Sequence, residues 1–189
     1  MQKKKVFIIS WPAWAGKNTL WNLVKPLCED SIEESISMTT RKPIRAWEQE
    51  WVDYYFVDRD FFEQKIWEDA FLEYAITHTF YYGSPSSELD RIITKNRSPI
   101  YIIDVKWMQD LKVHLEKKWY EVTTIFLLPP SIDEMRKRLK NRGTESEEQY
   151  EIRLATAMEE YKQQDLYDIH IVNDDLETAK EKLLQVLQI

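Results

Sequence analysis

The stretch Val6–Leu20, VFIISWPAWAGKNTL, decides the fold. Val6 to Ile9 form an unbroken apolar run that predicts a strand buried on both faces. TLWNLVKPLCED, beginning at Thr19, predicts a helix, so WPAWAGKNT is a strand-to-helix loop. Such a loop holds phosphate when backbone N–H groups converge, a helix N-terminus points at the anion, and a lysine spans the outer phosphates. Gly16 and Lys17 supply the last two features. Against the pattern G-x-x-x-x-G-K-[ST], Trp11 stands at the first glycine position and Asn18 follows the lysine. This fragment alone therefore leaves a phosphate loop and an ordinary turn both open.

Outward from the loop, β-rich and helix-like runs alternate. Strands are expected at SISMTT, PIYIIDV, VTTIFLLPP and IHIV, and an extended stretch at FLEYAITHTFYYGS. Helices are expected over residues 60–68, 87–96, 108–117, 131–142, 147–163 and 176–188. Strand, loop and helix in this order imply a mostly parallel sheet with helices on both faces. Residues from about 37 to 85 break the pattern and read as an insertion with antiparallel pairing.

The composition fits one globular domain: 189 residues, 43% hydrophobic and 31% charged. Twenty-six Lys and Arg against 33 Asp and Glu give a net charge of -7, which argues against a broad surface for nucleic acid or anionic membrane. Phosphate must instead meet a local arginine cluster. Cys28, the one cysteine, suits a reducing compartment. The apolar run after MQKKK is too short for export, and no stretch approaches the ~18 apolar residues of a membrane span. A cytoplasmic protein is expected, as a monomer or small homo-oligomer.

Further motifs follow in order: SISMTTRKPIRAWE, WVDYYF, DAFLE, YYGS, DVKW, LPPS, RLKNRGTESEE and IVNDDL. Together with WPAWAGKNTL they resemble the guanylate kinase family along nearly the whole chain. The departures are Trp at glycine positions, an extra Ile44 between Pro43 and Arg45, and Lys106 in place of a glutamine. The resemblance implies a three-layer α/β P-loop kinase fold with a parallel core sheet (residues 1–34, 86–140 and 155–189). It also implies an inserted GMP-binding part at about 35–85 and a small lid at about 141–154. The implied reaction converts ATP and GMP, or dGMP, to ADP and GDP, with Mg2+ accompanying ATP. A non-catalytic guanylate-kinase-like interaction module is the alternative; the retained Gly16 and Lys17 favour the enzyme.

By this resemblance Glu73 accepts both donors of guanine's pairing edge, chemistry that suits a carboxylate. Ser37 and Ser84 assist there, and Asp104 is in register with the family aspartate. Arg41 and Arg45, four apart beside Tyr54 and Tyr82, suit a nucleotide phosphate; Ile44 makes Arg41 the stronger of the two. The ATP-binding set is Trp11, Pro12, Ala13, Trp14, Ala15, Gly16, Lys17, Asn18 and Thr19, with Asn173 near the adenine. Lys17, Arg138, Arg142 and Arg153 are the expected catalytic cations. His78, His114 and His170 match no functional position and show no metal spacing.

There are eight Trp and three Gly, where about 13 Gly are ordinary for this length. Trp11, Trp14, Trp47, Trp51 and Trp107 fall where the resembling family carries glycine. Trp119, in KKWYEV before a strand, stands where a turn is expected, Trp67 lies close to a family glycine, and Trp21 is uninformative. An indole at 11 or 14 would take the space of the phosphate. The pattern suggests a gene in which UGA specifies glycine, read as though UGA specified tryptophan.

Overall fold

The structure, a computed structural model, describes residues 3–12, 17–46, 48–77, 79–140 and 147–188, without the side chains of Lys17, Asn18, Arg138, Glu147 and Gln149. The chain runs through β1 (Lys5–Ser10), α1 (Lys17–Cys28), β2 (Ile32–Glu34), β3 (Ser37–Thr39), β4 (Tyr54–Phe56), α2 (Arg59–Trp67), β5 (Phe71–Thr77) and β6 (Phe80–Pro85). It continues with α3 (Ser86–Thr94), β7 (Ser98–Ile102), α4 (Val105–Lys117), β8 (Glu121–Leu128), α5 (Ile132–Lys140), α6 (Glu147–Lys162), β9 (Ile169–Val172) and α7 (Leu176–Leu187).

Five strands form one sheet in the order β2-β7-β1-β8-β9, every pair parallel. Period-two alternation makes the three layers. Phe7 and Ile9 pack with Leu20, Trp21 and Val24 of α1 and Leu183 of α7. Val6 and Ile8 pack on the other face with Leu89 of α3 and Met108, Leu111 and Leu115 of α4.

The second sheet has the order β4-β3-β6-β5. β6 pairs antiparallel with β3 and β5, whereas β3 and β4 run parallel. Its small core is an aromatic stack: Phe62 of α2, fully buried, lies 4.5 Å from Phe71 and 5.0 Å from Tyr81 between ring centroids. Gly83 is required here, because a Cβ would meet Phe71 Cδ1 at 2.9 Å and Glu73 O at 3.0 Å.

SISMTT, expected as one strand, divides the two sheets. IEE, not expected as a strand, forms the core edge strand β2, and SMT alone forms β3. The chain crosses from one sheet to the other at Ser35 and Ile36. YYF adds the unexpected β4. α1 begins at Lys17 and α4 at Val105, two and three residues earlier than the sequence pattern suggested.

Three helices end alike, and the comparison bears on the tryptophans. After α2, α3 and α4, the residues Asp69, Asn96 and Trp119 adopt φ of 51°, 58° and 70°. Each makes the paired backbone bonds of the Schellman motif; at α4 these are Trp119 N–H to Glu116 O and Tyr120 N–H to Leu115 O. Asp and Asn tolerate this left-handed position, but a bulky residue does not. Trp51 also sits at φ 67°, and both tryptophans are 70% exposed.

Candidate functional site

A cavity of about 280 Å³ lies where the two sheets meet. From the second sheet it is lined by Ser37, Tyr54, Glu73, Thr77 and Tyr82, and from the connection after β3 by Arg41 and Arg45. Ile102, Ile103, Asp104 and Trp107 close it from the core side, and Trp11 adds the residue after β1. Strand alternation explains the selection: Glu73 and Thr77 are four positions apart on β5 and so share a face, and Glu73 is in register with Ser84 while Ala75 is in register with Tyr82.

Glu73 is 8% exposed. Its Oε1 accepts from Ser84 Oγ at 2.6 Å, and its Oε2 is buried without a hydrogen-bond partner among the described residues. Burial pushes the carboxyl up to about 7 against the pull of the Ser84 bond, with Asp110 and Asp104 adding repulsion. A buried carboxylate with one oxygen unpaired is a strong acceptor for a donor brought by a ligand.

The cationic part is built differently. Arg41 Nη2 donates to both Glu48 oxygens at 2.6 Å, and the Arg45 N–H donates to Glu48 Oε2 at 3.0 Å. Burial would raise the Glu48 carboxyl, but these bonds hold it below its ordinary value. Glu48 thus aims both arginines. The Arg41 guanidinium lies 5.7 Å from the Tyr54 ring, which meets Tyr82 at 6.1 Å. Burial, followed by Asp104, raises the Tyr54 phenol to about 12, so it remains a donor at neutral pH. The cavity therefore combines carboxylates that accept hydrogen bonds with arginine and phenol groups that donate to an anion.

Of the residues expected to bind the acceptor, all but Ser84 line this cavity, and Ser84 holds Glu73 from beside it. Of those expected at ATP, Trp11 lines the cavity, Pro12 is buried, Lys17 and Asn18 open α1, and Thr19 is exposed in its first turn. Asn173 is 6% exposed, and its N–H donates to Leu128 O at 2.8 Å. Arg153 is exposed on α6, and Arg138 lies on α5. Ala13, Trp14, Ala15, Gly16 and Arg142 lie outside the described residues, as do Trp47, His78 and residues 141–146 of the expected lid.

Sequence reasoning missed Thr77 and Trp107 as cavity residues, and Glu48 as the partner that holds Arg41 and Arg45. Trp107 stacks on Tyr82 at 5.8 Å, and Lys106 Nζ donates to Thr77 Oγ1 at 2.6 Å. Glu48 ends the quoted motif SISMTTRKPIRAWE, and that was the signal available for it.

Among the described residues, no three His, Cys, Asp or Glu form a group able to hold a metal ion. Asp104 is the N-cap residue of α4, makes no side-chain capping bond among the described residues, and lines the cavity wall. No helix among the described residues is long and apolar enough to cross a membrane.

The sequence model described as "Guanylate kinase" matches residues 3–189. The chain is 40% identical to a guanylate kinase of Mycoplasmoides gallisepticum over 96% of its own length and 91% of that protein. It is 37% identical to one of Fusobacterium nucleatum, covering 97% and 95% of the two chains. The crystal structure of guanylate kinase from Anaplasma phagocytophilum superposes with a TM-score of 0.73 at 28% identity, covering 100% of this chain and 86% of that one. A match of this extent, to a chain with this cavity, means that the protein belongs to the guanylate kinase family.

Proposed function

We propose that the chain transfers the γ-phosphoryl group of ATP to GMP or dGMP, giving ADP and GDP or dGDP, with the acceptor in the cavity between the sheets. The observation that carries this is Glu73, a buried carboxylate with one oxygen held by Ser84 and the other unpaired among the described residues, in a cavity shared with two arginines. Guanine's ring N–H and amino group would donate to Glu73, with Ser37 alongside. Arg41, Arg45, Tyr54 and Tyr82 would donate to the acceptor phosphate. Asp104, on the core side, would complete the site.

ATP would lie along residues 11–19 at the N-terminus of α1, with Asn173 near the adenine. Lys17, Arg138, Arg142 and Arg153 would bind the triphosphate and the charge that spreads over the transferring group. Phosphoryl transfer asks the protein mainly for positioning and charge stabilisation. Mg2+ arriving on the ATP phosphates would neutralise part of that charge, and Asp104 and Thr19 are the oxygen donors suited to it. Residues 141–154 would act as the lid that excludes water. The buried free thiol of Cys28 is compatible with a cytoplasmic site of action.

A second reading concerns the tryptophans: Trp11, Trp14, Trp47, Trp51, Trp67, Trp107 and Trp119 stand for glycines encoded by UGA. Trp119 and Trp51, at positive φ and exposed, support it, as does Trp67, 91% exposed. Trp21 behaves differently: it is 6% exposed, packs in the core, and donates from Nε1 to Glu34 Oε2 at 2.7 Å. Trp21 is therefore kept as tryptophan. The rival is a genuinely tryptophan-rich protein that has lost nucleotide binding. Sequencing the codons separates them: UGA at the seven positions and UGG at 21 is expected, and UGG throughout contradicts the proposal.

The functional test is turnover by the protein as its host translates it, with ATP and either GMP or AMP. GDP formation with GMP, and no consumption of ATP with AMP as acceptor, is expected. A folded protein that forms no GDP would instead be the interaction module.

A further inference from the structure

Carboxylates are rarely found fully buried unless their oxygens are paired. Glu88, on α3, is 3% exposed and lies outside the cavity lining. Its Oε1 accepts from Tyr55 OH at 2.7 Å and Arg91 Nε at 2.8 Å. Its Oε2 accepts from the Ile36 N–H at 2.9 Å and Arg91 Nη2 at 2.9 Å. Burial would raise this carboxyl, but its bonds to Arg91, Ile36 and Tyr55 hold it below its ordinary value.

These partners tie three parts of the chain to α3. Ile36 belongs to the crossing between the sheets, and Tyr55 is the middle residue of β4. Arg91 continues the network to Glu33 of β2, which also accepts from Lys95 Nζ at 2.9 Å and Arg97 Nη1 at 2.9 Å. The Ser35 N–H donates to Ile100 O at 2.9 Å, so the crossing is fastened to the core sheet immediately before Ile36.

The neighbours of the clamped residues reach the cavity. Ser37 follows Ile36 and Tyr54 precedes Tyr55; Ser37 and Tyr54 are register partners across the β3–β4 pair, and both line the cavity. Tyr54 and Tyr55 are adjacent in β4 and point to opposite faces, so the bond that holds Tyr55 also sets Tyr54, while the bond to the Ile36 N–H fixes the backbone that leads into Ser37. A buried, fully bonded carboxylate restrains more sharply than an apolar contact, because displacement leaves its charge unpaired.

We propose that Glu88 is a positioning residue for the acceptor nucleotide: it clamps the β3–β4 edge to the core and so sets where Ser37 and Tyr54 stand. This rests on the acceptor reading of the cavity. The clamp acts on GMP binding and leaves ATP binding and the transfer step alone.

The test is steady-state kinetics on Glu88→Ala, Glu88→Gln and Tyr55→Phe, with hydrogen exchange read at the Ile36 amide. Glu88→Ala should raise KM for GMP about tenfold or more, with kcat at saturating GMP and KM for ATP within about twofold of the parent. Glu88→Gln, which keeps one acceptor, should recover part of the loss, and Ile36 exchange should rise in the same order. If Glu88→Ala does not fold, Tyr55→Phe decides: a rise of about two- to fivefold in KM for GMP with faster Ile36 exchange supports the clamp. An unchanged KM for GMP in folded variants, or an equal loss for GMP and ATP, overturns it. Glu73→Gln separates the two levels. If it impairs GMP use while Glu88→Ala does not, the clamp alone fails; if it leaves GMP use unchanged, the acceptor reading fails and the clamp fails with it.

Discussion

The two sheets solve different problems with the same backbone chemistry. The five-stranded sheet is parallel throughout and buries apolar side chains on both faces, with Ile8, Val24, Leu111 and Leu115 essentially inaccessible. The four-stranded sheet buries little beyond the stack around Phe62 and keeps its polar residues, Ser37, Glu73, Ser84 and Tyr54, on or beside a cavity. One sheet is stabilised by removing apolar surface from water. The other holds an ionisable group in an environment that opposes its charge. Stability and acceptor recognition should therefore respond to different substitutions.

Leu111→Ala in the core should give the largest effect on stability, a loss of about 2 to 5 kcal/mol, because it removes buried methyl groups and leaves a cavity. Denaturant unfolding measures it, and KM for GMP in the folded fraction should stay near that of the parent. A core substitution that changed GMP affinity without lowering stability would break the separation. Trp119→Gly should act oppositely, raising stability by about 1 to 3 kcal/mol by relieving a bulky residue at φ 70°. A loss of stability there would mean that the exposed indole contributes more than its backbone costs.

The smallest effect sharpens the electrostatic side of the comparison. Glu73 titrates at about 7 when folded, against an ordinary 4.5. The folded state thus holds this proton more tightly than the unfolded chain. The associated stability is fully present below about 4.5 and is lost as pH rises through about 7. Guanine binding has the opposite sign, since two donors require the ionised carboxylate. Inhibition by guanosine, which carries no phosphate to titrate, should strengthen up to roughly tenfold between pH 6 and pH 8. A flat profile would mean that Glu73 is ionised throughout or does not meet the base.

What could be read in the sequence follows the same division. β1, β7 and β8 are legible because strands buried on both faces need continuous apolar runs, as in VFII and IFLL. β2 is not, because IEE lies at a sheet edge where Glu33 and Glu34 are retained by ion pairs with Arg91 and Lys25. β4 is short and merges with the charged segment before it. At the site, residues carried by contiguous motifs, from Ser37 to Asp104, are legible by resemblance. Glu48 lies within such a motif, but the motif alone does not show its bonds to Arg41 and Arg45; Glu88 is not legible, because its importance comes from partners that only the fold brings together, such as Ile36, 52 residues away. The tryptophans are the converse case. Their identity conflicts with the backbone at Trp51 and Trp119 and agrees with its surroundings at Trp21.

The central claim, that the carboxylate of Glu73 recognises guanine, is tested most directly by steady-state kinetics of Glu73→Gln in the protein as its host translates it. An amide can accept one of guanine's two donors but presents its own N–H to the other. GMP use should weaken by about 2 to 4 kcal/mol in kcat/KM, while KM for ATP barely moves. Equal loss for both nucleotides, or no loss for GMP, would contradict the claim.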